Sequence, residues 1–256
     1  MANGKLEALL AEWRQKRLLI LGLGVSNRPL ARLLLEAGCR VTGCDRTDRE
    51  KLDREVLDLE EQGLELRLGA GYLENLEADV VFRTPGMHPA NPALEALRRR
   101  GAAVTSEMEI FFQVCPCPVI AVTGSDGKTT TTTLLAEMLR AAGKTVWVGG
   151  NIGKPLLPEV GRMAPSDWAV VELSSFQLMD MDRSGHIAVV TNLAPNHLDV
   201  HKDMAEYVEA KEHVFAYQSE GDILILNRDH EITRSFAPGA PGQVRWFSRR
   251  ERPERG

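Results

Sequence analysis

The sequence predicts an α/β protein made of two successive domains, each built around a mainly parallel sheet. Three observations predict it. Short apolar runs alternate with stretches of helical period along most of the 256 residues. Two of those runs, "RLLILG" and "PVIAVTG", each lead into a glycine turn followed by a helical pattern. A proline-punctuated joint, "QVCPCP", separates the halves that these two motifs open. The boundary is expected near residue 115, giving domains at 1–114 and 115–256.

Taken in chain order, "RLLILG" reads as the first strand, 27–37 as a helix and "CRVTGCD" as the second strand. "ADVVFRT" and "AAVTS" follow as strands, with helices at 91–100 and 107–114. The basic cluster Arg98, Arg99 and Arg100 falls where the first of these helices ends, complementing its dipole. In the second half the strand candidates are "PVIAVTG", "KTVWVGG", "DWAVVEL", "HIAVVTN" and "GDILIL", with helices at 128–142 and 205–217. The helix at 128–142 is expected to turn Leu134, Leu135, Met138 and Leu139 inward. After "APGAPGQVRWFS" the charged tail "RRERPERG" reads as a solvated end, so few elements are expected after the chemical motifs of the second half.

Composition excludes several classes of function. A formal charge of −5 and a pI near 5.8 give no electrostatic case for nucleic acid or an anionic membrane. No apolar run reaches spanning length, and "MANGKLEALLAEWRQKR" is no secretory signal. A cytoplasmic protein is expected. Of the four cysteines, Cys115 and Cys117 sit too close for an unstrained disulfide, and no histidine flanks them at zinc-finger spacing.

The densest chemical signal is "VIAVTGSDGKTTTTTLLAEML". A strand, a turn holding Gly124, Ser125, Asp126 and Gly127, then Lys128, Thr129 and Thr130, and an amphipathic helix form a phosphate loop. Glycines let several N–H groups face one anion, and the helix N-terminus adds partial positive charge. Lys128 can reach terminal phosphates and the Thr129 hydroxyl can bind Mg²⁺. Position 122, where the longer form of this loop has glycine, is valine, so the loop is a shorter G-x-x-G-K-T. Five successive threonines are poor helix formers, and hydroxyls facing a phosphate explain some of them. The second domain is thus expected to be a P-loop ATPase fold binding a nucleoside triphosphate.

"LILGLGVSN", with Asp45 closing the second strand, mimics a dinucleotide fingerprint, but its third glycine is Asn27. A nicotinamide dehydrogenase would need a hydride-transfer domain, and a phosphate loop follows instead. A Rossmann-like first domain holding a nucleotide diphosphate fits better, with Asp45, Arg46 or Thr47 at the base or ribose. In the second half, Glu172 and Asn192 end two further strands, and ligands in doubly wound sheets lie beyond such ends. Glu172 is placed to join Thr129 around Mg²⁺. Lys211 poses a separate problem. On a helix it falls inside an apolar arc of Met204, Tyr207, Val208, Val214 and Phe215, where it must snorkel, lose its charge or find a buried partner.

"TGSDGKTTTT", "GGNIG", "ELSSFQL" and "NLAPNHLDVH" followed by "YVEAK" resemble the Mur ligase superfamily, over roughly residues 18–227. "ELSSFQL" and "TGSDGKTTTTTL" are similar in particular to its D-glutamate-adding members. The resemblance implies an ATP-dependent ligase of peptidoglycan precursor synthesis. Such an enzyme joins D-glutamate to UDP-N-acetylmuramoyl-L-alanine through an acyl phosphate. It further implies Lys128, Glu172, His197 and Lys211 as catalytic residues, and two Mg²⁺ sites. Thr129 and Glu172 would hold one ion. His197 and a carbamylated Lys211 would hold the other, which turns the inward cation into an anionic ligand. Val25, Ser26, Asp45, Arg46, Thr47 and Gly86 would line the uridine diphosphate pocket, while Asn151, Ser174 and Gln177 would contact the muramoyl part.

Members of that family are longer, with an H-N-x-x-N helix near the adenine and a C-terminal domain for the incoming amino acid. Nothing after 227 resembles either. The expectation is therefore a partial second domain, no amino-acid domain, and binding of the UDP-substrate without sustained amide formation. The alternative reading is a stand-alone UDP-sugar or nucleotide-binding protein without ligase activity.

Overall fold

The computed structural model describes residues 4–195, 201–254 and 256. They fall into two compact units, Met1–Val114 with Leu157–Arg162, and Cys115–Leu156 with Met163–Gly256.

The first unit runs α1 (Gly4–Trp13), β1 (Arg17–Leu21), α2 (Asn27–Glu36), β2 (Arg40–Asp45), α3 (Arg54–Glu61), β3 (Glu65–Leu68), β4 (Val80–Arg83), α4 (Pro92–Arg99), β5 (Ala103–Thr105) and α5 (Glu107–Val114). Its five strands lie in the order β3-β2-β1-β4-β5, all parallel. β1 is buried from Leu18 to Leu21 because both faces of the sheet are covered, which is why it reads as an unbroken apolar run. On one face Leu19, Leu21 and Val81 pack against Leu94 and Leu97 of α4. Asn91 caps α4 by accepting from the Ala93 N–H at 2.9 Å, and Pro92 fills the first turn, where no donor is needed. The 3₁₀ turn Leu157–Arg162 belongs to this unit, held by the Glu107 carboxylate, which accepts from the Leu157 N–H at 2.9 Å.

Three elements of this unit have no counterpart in the sequence reading. β3 is a half-exposed edge strand, "ELRL", without a continuous apolar run. α1 buries only Leu6 and Trp13, and α3 only Val56 and Leu59.

The second unit runs β6 (Val119–Thr123), α6 (Lys128–Ala141), β7 (Val146–Gly150), β8 (Trp168–Glu172), α7 (Ser175–Leu178), β9 (Ile187–Val190), α8 (Met204–Glu212), β10 (Ile223–Asn227), α9 (Glu231–Ser235) and β11 (Gln243–Phe247). The six strands are parallel in the order β11-β10-β9-β6-β8-β7. β6 lies between β8 and β9 and is buried throughout. The chain leaves β6 toward one edge of the sheet and later crosses to the other, so a topological switch point opens at its carboxyl end.

The structure corrects the sequence reading in three places here. Leu134 and Met138 do not point inward; they are 57% and 67% exposed. The inner face of α6 is instead Thr132, Leu135, Ala136 and Leu139, spaced i, i+3, i+4 and i+7, of which Leu135, Ala136 and Leu139 pack on Ile120, Val122 and Val170. Apolar content alone could not choose between two overlapping stripes when a threonine belongs to the buried one. "QVRWF", not among the expected strands, is β11, paired with β10 from Ile223↔Gln243 to Asn227↔Phe247. As an edge strand it is only half buried and carries no strong pattern. α8 ends at Glu212, short of the expected 217, and the chain continues in turns.

All four cysteines are free thiols, with the Cys115 and Cys117 sulfurs 3.6 Å apart. Among the described residues no helix is long and apolar enough to cross a membrane.

Leu226 on β10 is fully buried. Leu226→Ala is expected to destabilise the second unit by about 2–5 kcal/mol, read as a lowered urea midpoint at unchanged slope. A loss below about 0.5 kcal/mol would contradict the placement of β10 in its core.

Candidate functional site

Three strand tips of the second unit converge at the switch point: Thr123 on β6, Glu172 on β8 and Thr191 just after β9. The loop after β6 turns at Gly124, which has φ +147°. A Cβ there would lie 2.0 Å from the Thr191 hydroxyl, so only glycine lets β6 turn this close to β9. The loop is then tied to β9's exit along its length. Ser125 N–H donates to the Asn192 carbonyl at 2.9 Å, and Asp126 N–H donates to Asn192 Oδ1 at 2.9 Å. The Asp126 carbonyl accepts from the Thr191 hydroxyl at 2.7 Å and from Asn192 Nδ2 at 3.1 Å. Gly127, at φ +76°, precedes the first turn of α6, whose free N–H groups open toward the loop. Lys128 folds back, donating to the carbonyls of Gly124 at 2.9 Å and Ser125 at 2.8 Å.

Glu172 is 1% exposed, and both of its carboxylate oxygens are held. Thr129 Oγ1 donates to Oε2 at 2.7 Å, and Asn151 Nδ2 donates to Oε1 at 2.9 Å. The Asn151 N–H also donates to the Glu172 carbonyl at 2.7 Å. Gly150 makes that approach possible, with φ +96° and a hypothetical Cβ only 2.1 Å from the same carbonyl. Thr129 and Glu172 thus place hard oxygen donors side by side at the mouth of an anion-binding loop, the ligand chemistry that Mg²⁺ takes. Among the described residues no group of three or more His, Cys, Asp and Glu side chains is placed to hold a metal ion, so an ion here would draw further ligands from hydroxyls, nucleotide or water.

Lys211 on α8 reaches the same place. It is 2% exposed, and its Nζ donates to the Thr123 hydroxyl at 2.9 Å and the Gly124 carbonyl at 3.3 Å, 5.4 Å from the centre of the Tyr207 ring. It does not snorkel. Burial, reinforced by the charge of Lys128, pushes Lys211 down to about 7 against the opposing pull of Glu172. Tyr207 in turn exchanges a 2.9 Å hydrogen bond with Ser125 of the loop.

Of the residues expected here, Gly124 to Thr130, Asn151, Glu172 and Lys211 belong to this crevice or its loops; His197 lies outside the described residues. Ser174 and Gln177 form a reciprocal cap on α7: Ser174 Oγ accepts from the Gln177 N–H at 3.3 Å, and Gln177 Oε1 accepts from the Ser174 N–H at 3.0 Å. His201 was not singled out in the sequence. It is buried, 2.8 Å from the Ser175 hydroxyl, stacked on Phe176 and edge-on to Tyr207, so it joins α7 to α8 beneath the loop. Its only sequence signal is its place at the end of "NLAPNHLDVH".

The first unit has its own crevice at the carboxyl ends of β1, β2 and β4, a cleft of ≈ 500 Å³ lined by Gly22, Asp45, Arg46, Thr47 and Gly86 among others. Asp45 is largely committed to structure, accepting from the Leu23 N–H at 2.8 Å and the Thr47 N–H at 2.9 Å. Burial pushes its carboxyl up, but these bonds outweigh that and hold it below the usual carboxylate range. Asn27, where a dinucleotide fingerprint has glycine, is buried and donates to the Gly22 carbonyl at 2.8 Å, pinning the turn. Val25 is exposed on the turn, and Ser26 starts α2 without using its hydroxyl as a cap.

Residues 122–253, more than half of the chain, match the Mur ligase middle domain. The chain belongs to the Mur ligase family. Its curated relatives include the UDP-N-acetylmuramoylalanine--D-glutamate ligase of Clostridium novyi, 49% identical over 244 residues, covering 95% of this chain and 53% of that protein. Another, of the same name, from Acetivibrio thermocellus, is 48% identical over 255 residues, covering 99% and 55%. This Mur ligase chain spans about half the length of those relatives. Among solved structures, the UDP-N-acetylmuramate:L-alanyl-gamma-D-glutamyl-meso-diaminopimelate ligase of Neisseria meningitides shares the fold at TM-score 0.60 and 22% identity, over 91% of this chain and 78% of that one. The UDP-N-acetylmuramate-alanine ligase of Thermotoga maritima shares it at TM-score 0.52 and 21% identity, over 92% and 53%. Both likenesses extend across two parallel-sheet α/β domains, Rossmann-like and then P-loop.

The lowered Lys211 sets a pH dependence. Between about 7 and its ordinary 10.5 the unfolded chain binds the proton that the folded chain does not, so stability rises with pH across that window. Urea denaturation in CO₂-free buffer should show this rise in the wild type and lose it in Lys211→Met. A slope common to both proteins would contradict the buried placement.

Proposed function

We propose that the chain carries the UDP-substrate and ATP sites of a cytoplasmic D-glutamate-adding ligase of peptidoglycan precursor synthesis. The observation that carries the reading is the bond from Thr129 to the buried Glu172, which joins an anion-binding loop to an oxygen-donor pair. Near-50% identity to relatives bearing that enzyme's name supports the choice of substrates.

In the proposed reaction the alanyl carboxylate of UDP-N-acetylmuramoyl-L-alanine attacks the γ-phosphorus of ATP. ADP leaves and an acyl phosphate forms. The amine of D-glutamate then attacks the acyl carbon, phosphate departs, and the amine proton goes to solvent or a nearby base. A carboxylate approaching a polyanion needs charge cancelled and groups held in place, and that is the chain's task. Lys128 would leave its two loop carbonyls for the terminal phosphates, where it can act as donor and counter-charge together. The loop and first-turn N–H groups of α6 would hold the β- and γ-phosphates. Thr129 and Glu172 would bind Mg²⁺, which supplies Lewis-acid neutralisation of the developing charge. Asn151 holds Glu172 in the orientation that faces the loop.

We further propose that Lys211, buried and poor in protons, is carbamylated and, with His197, binds a second Mg²⁺. The cleft at the tips of β1, β2 and β4 would take the uridine diphosphate through Asp45, Arg46, Thr47 and Gly86, with Val25 and Ser26 on the adjoining turn. Ser174 and Gln177 would meet the muramoyl part at the start of α7, where the Gln177 amide nitrogen remains available.

Calorimetry on the chain tests this. ATP should bind only with Mg²⁺, UDP-N-acetylmuramoyl-L-alanine should bind separately, and Lys128→Ala should weaken ATP by about 10–100-fold, the worth of a charge-assisted contact. The UDP-substrate should be unaffected by that change. Binding of neither ligand would contradict the proposal; UDP-substrate binding without any ATP binding would favour a UDP-sugar-binding protein instead.

A further inference from the structure

The chain leaves β4 through "RTPGM", and the first residue of that stretch, Arg83, is 2% exposed. One guanidinium nitrogen, Nη1, gathers carbonyls from the turn that follows: Met87 at 2.8 Å, Thr84 at 3.3 Å and Pro85 at 3.3 Å. The turn is closed by the Met87 N–H, which donates to the Thr84 carbonyl at 3.0 Å. Thr84 to Met87 is thus a four-residue β-turn with proline and glycine at its centre.

Proline followed by glycine is the pair that suits a type II turn, which needs φ above zero at the glycine. Gly86 is not among the glycines with positive φ, so the turn is not of that type. The type I and type II forms differ by a rotation of roughly 150° on either side of the central peptide, which reverses its carbonyl and N–H. Arg83 bonds the carbonyl of that same peptide, Pro85 O, and draws it inward. No cis peptide bond occurs among the described residues, so the Gly86 N–H points the opposite way.

Gly86 is exposed and lines the cleft at the tips of β1, β2 and β4, and among the described residues its N–H makes no hydrogen bond. The turn after β1 lies close by: a Cβ on Gly22 would be 2.9 Å from Thr84 Cγ2. The Gly86 N–H therefore stands beside the glycine turn that leads into α2, whose N-terminus favours a diphosphate.

We propose that Arg83 is a positioning residue for the UDP-substrate: it holds the Pro85–Gly86 peptide in the flip that offers the diphosphate an N–H donor rather than a carbonyl. The inference rests on the UDP-cleft reading above. Arg83 acts through the turn and does not touch the ligand. Without it the Pro-Gly turn relaxes to type II, and a carbonyl oxygen faces the anion.

The test is calorimetry of UDP binding to the chain in a double-mutant cycle of Arg83→Met and Gly86→Ala, with folding of each protein followed by circular dichroism. Alanine resists the positive φ of a type II turn, so it holds the present flip without help from the arginine. Arg83→Met should weaken UDP by about tenfold in the wild-type background, the worth of one N–H to a charged oxygen, and by less than about threefold when Gly86→Ala is also present. Arg83→Lys keeps the charge but not the fork, and it goes through the same cycle in case the methionine variant does not fold; its smaller loss should again vanish with Gly86→Ala. A purely structural arginine would cost the same in both backgrounds. That result, or no loss in either, would overturn the inference while leaving the UDP cleft in place. Failure of the wild type to bind UDP would overturn the reading of the cleft and this inference with it.

Discussion

The carboxylate of Glu172 is the constraint around which the second unit's crevice is arranged. A carboxylate with 1% exposure is costly unless both oxygens are satisfied. The chain meets that need from two directions, with the Thr129 hydroxyl from the start of α6 and the Asn151 amide from the end of β7. Each partner imposes its own demand. Asn151 reaches Glu172 only because Gly150 lets the backbone pass where a side chain would collide. Thr129 reaches it only because the loop after β6 turns at once, at Gly124, into α6. The glycines, the threonine run and the "GGN" turn are separate in sequence and answer to one buried charge.

Behind this arrangement lies a second, less polar support. Lys211, Tyr207 and His201 form a packed column from α8 to α7, with Tyr207 bonded to Ser125 and Lys211 to Thr123. The underside of the phosphate loop is thus built from side chains of a helix that follows it by some eighty residues. Lys128 and Lys211 approach the same Gly124 carbonyl, which makes the loop the place where two ammonium groups compete. Desolvation first, and then that competition, lower Lys211 to about 7, which raises the share of free amine over that of an ordinary lysine.

Most of this was legible in the sequence where a residue type had one plausible use. An unbroken apolar run such as "PVIAVT" can only be a buried strand here, and glycine, lysine and threonine in that order after it mark a phosphate loop. Lys211 was legible because a cation in an apolar arc has few options. The edge elements were not. β3 and β11 are half exposed and polar on one side, and their strand character comes from pairing with β2 and β10, which local sequence does not carry. The inward face of α6 is hidden from apolar content because Thr132 lies on it, with Leu134 and Met138 outside. His201 is not legible either, because a histidine that packs between rings looks, in sequence, like any other loop histidine.

The most direct test concerns the carboxylate itself. Mn²⁺ can be titrated as a paramagnetic substitute for Mg²⁺ in the presence of ADP, its binding followed by electron paramagnetic resonance, in the wild type and in Glu172→Gln. The glutamine keeps the shape and the acceptor for Thr129 but not the charge. The account predicts nucleotide-dependent Mn²⁺ binding in the wild type, weakened by at least about tenfold in a variant that remains folded. Equal Mn²⁺ affinity in the two folded proteins would contradict it.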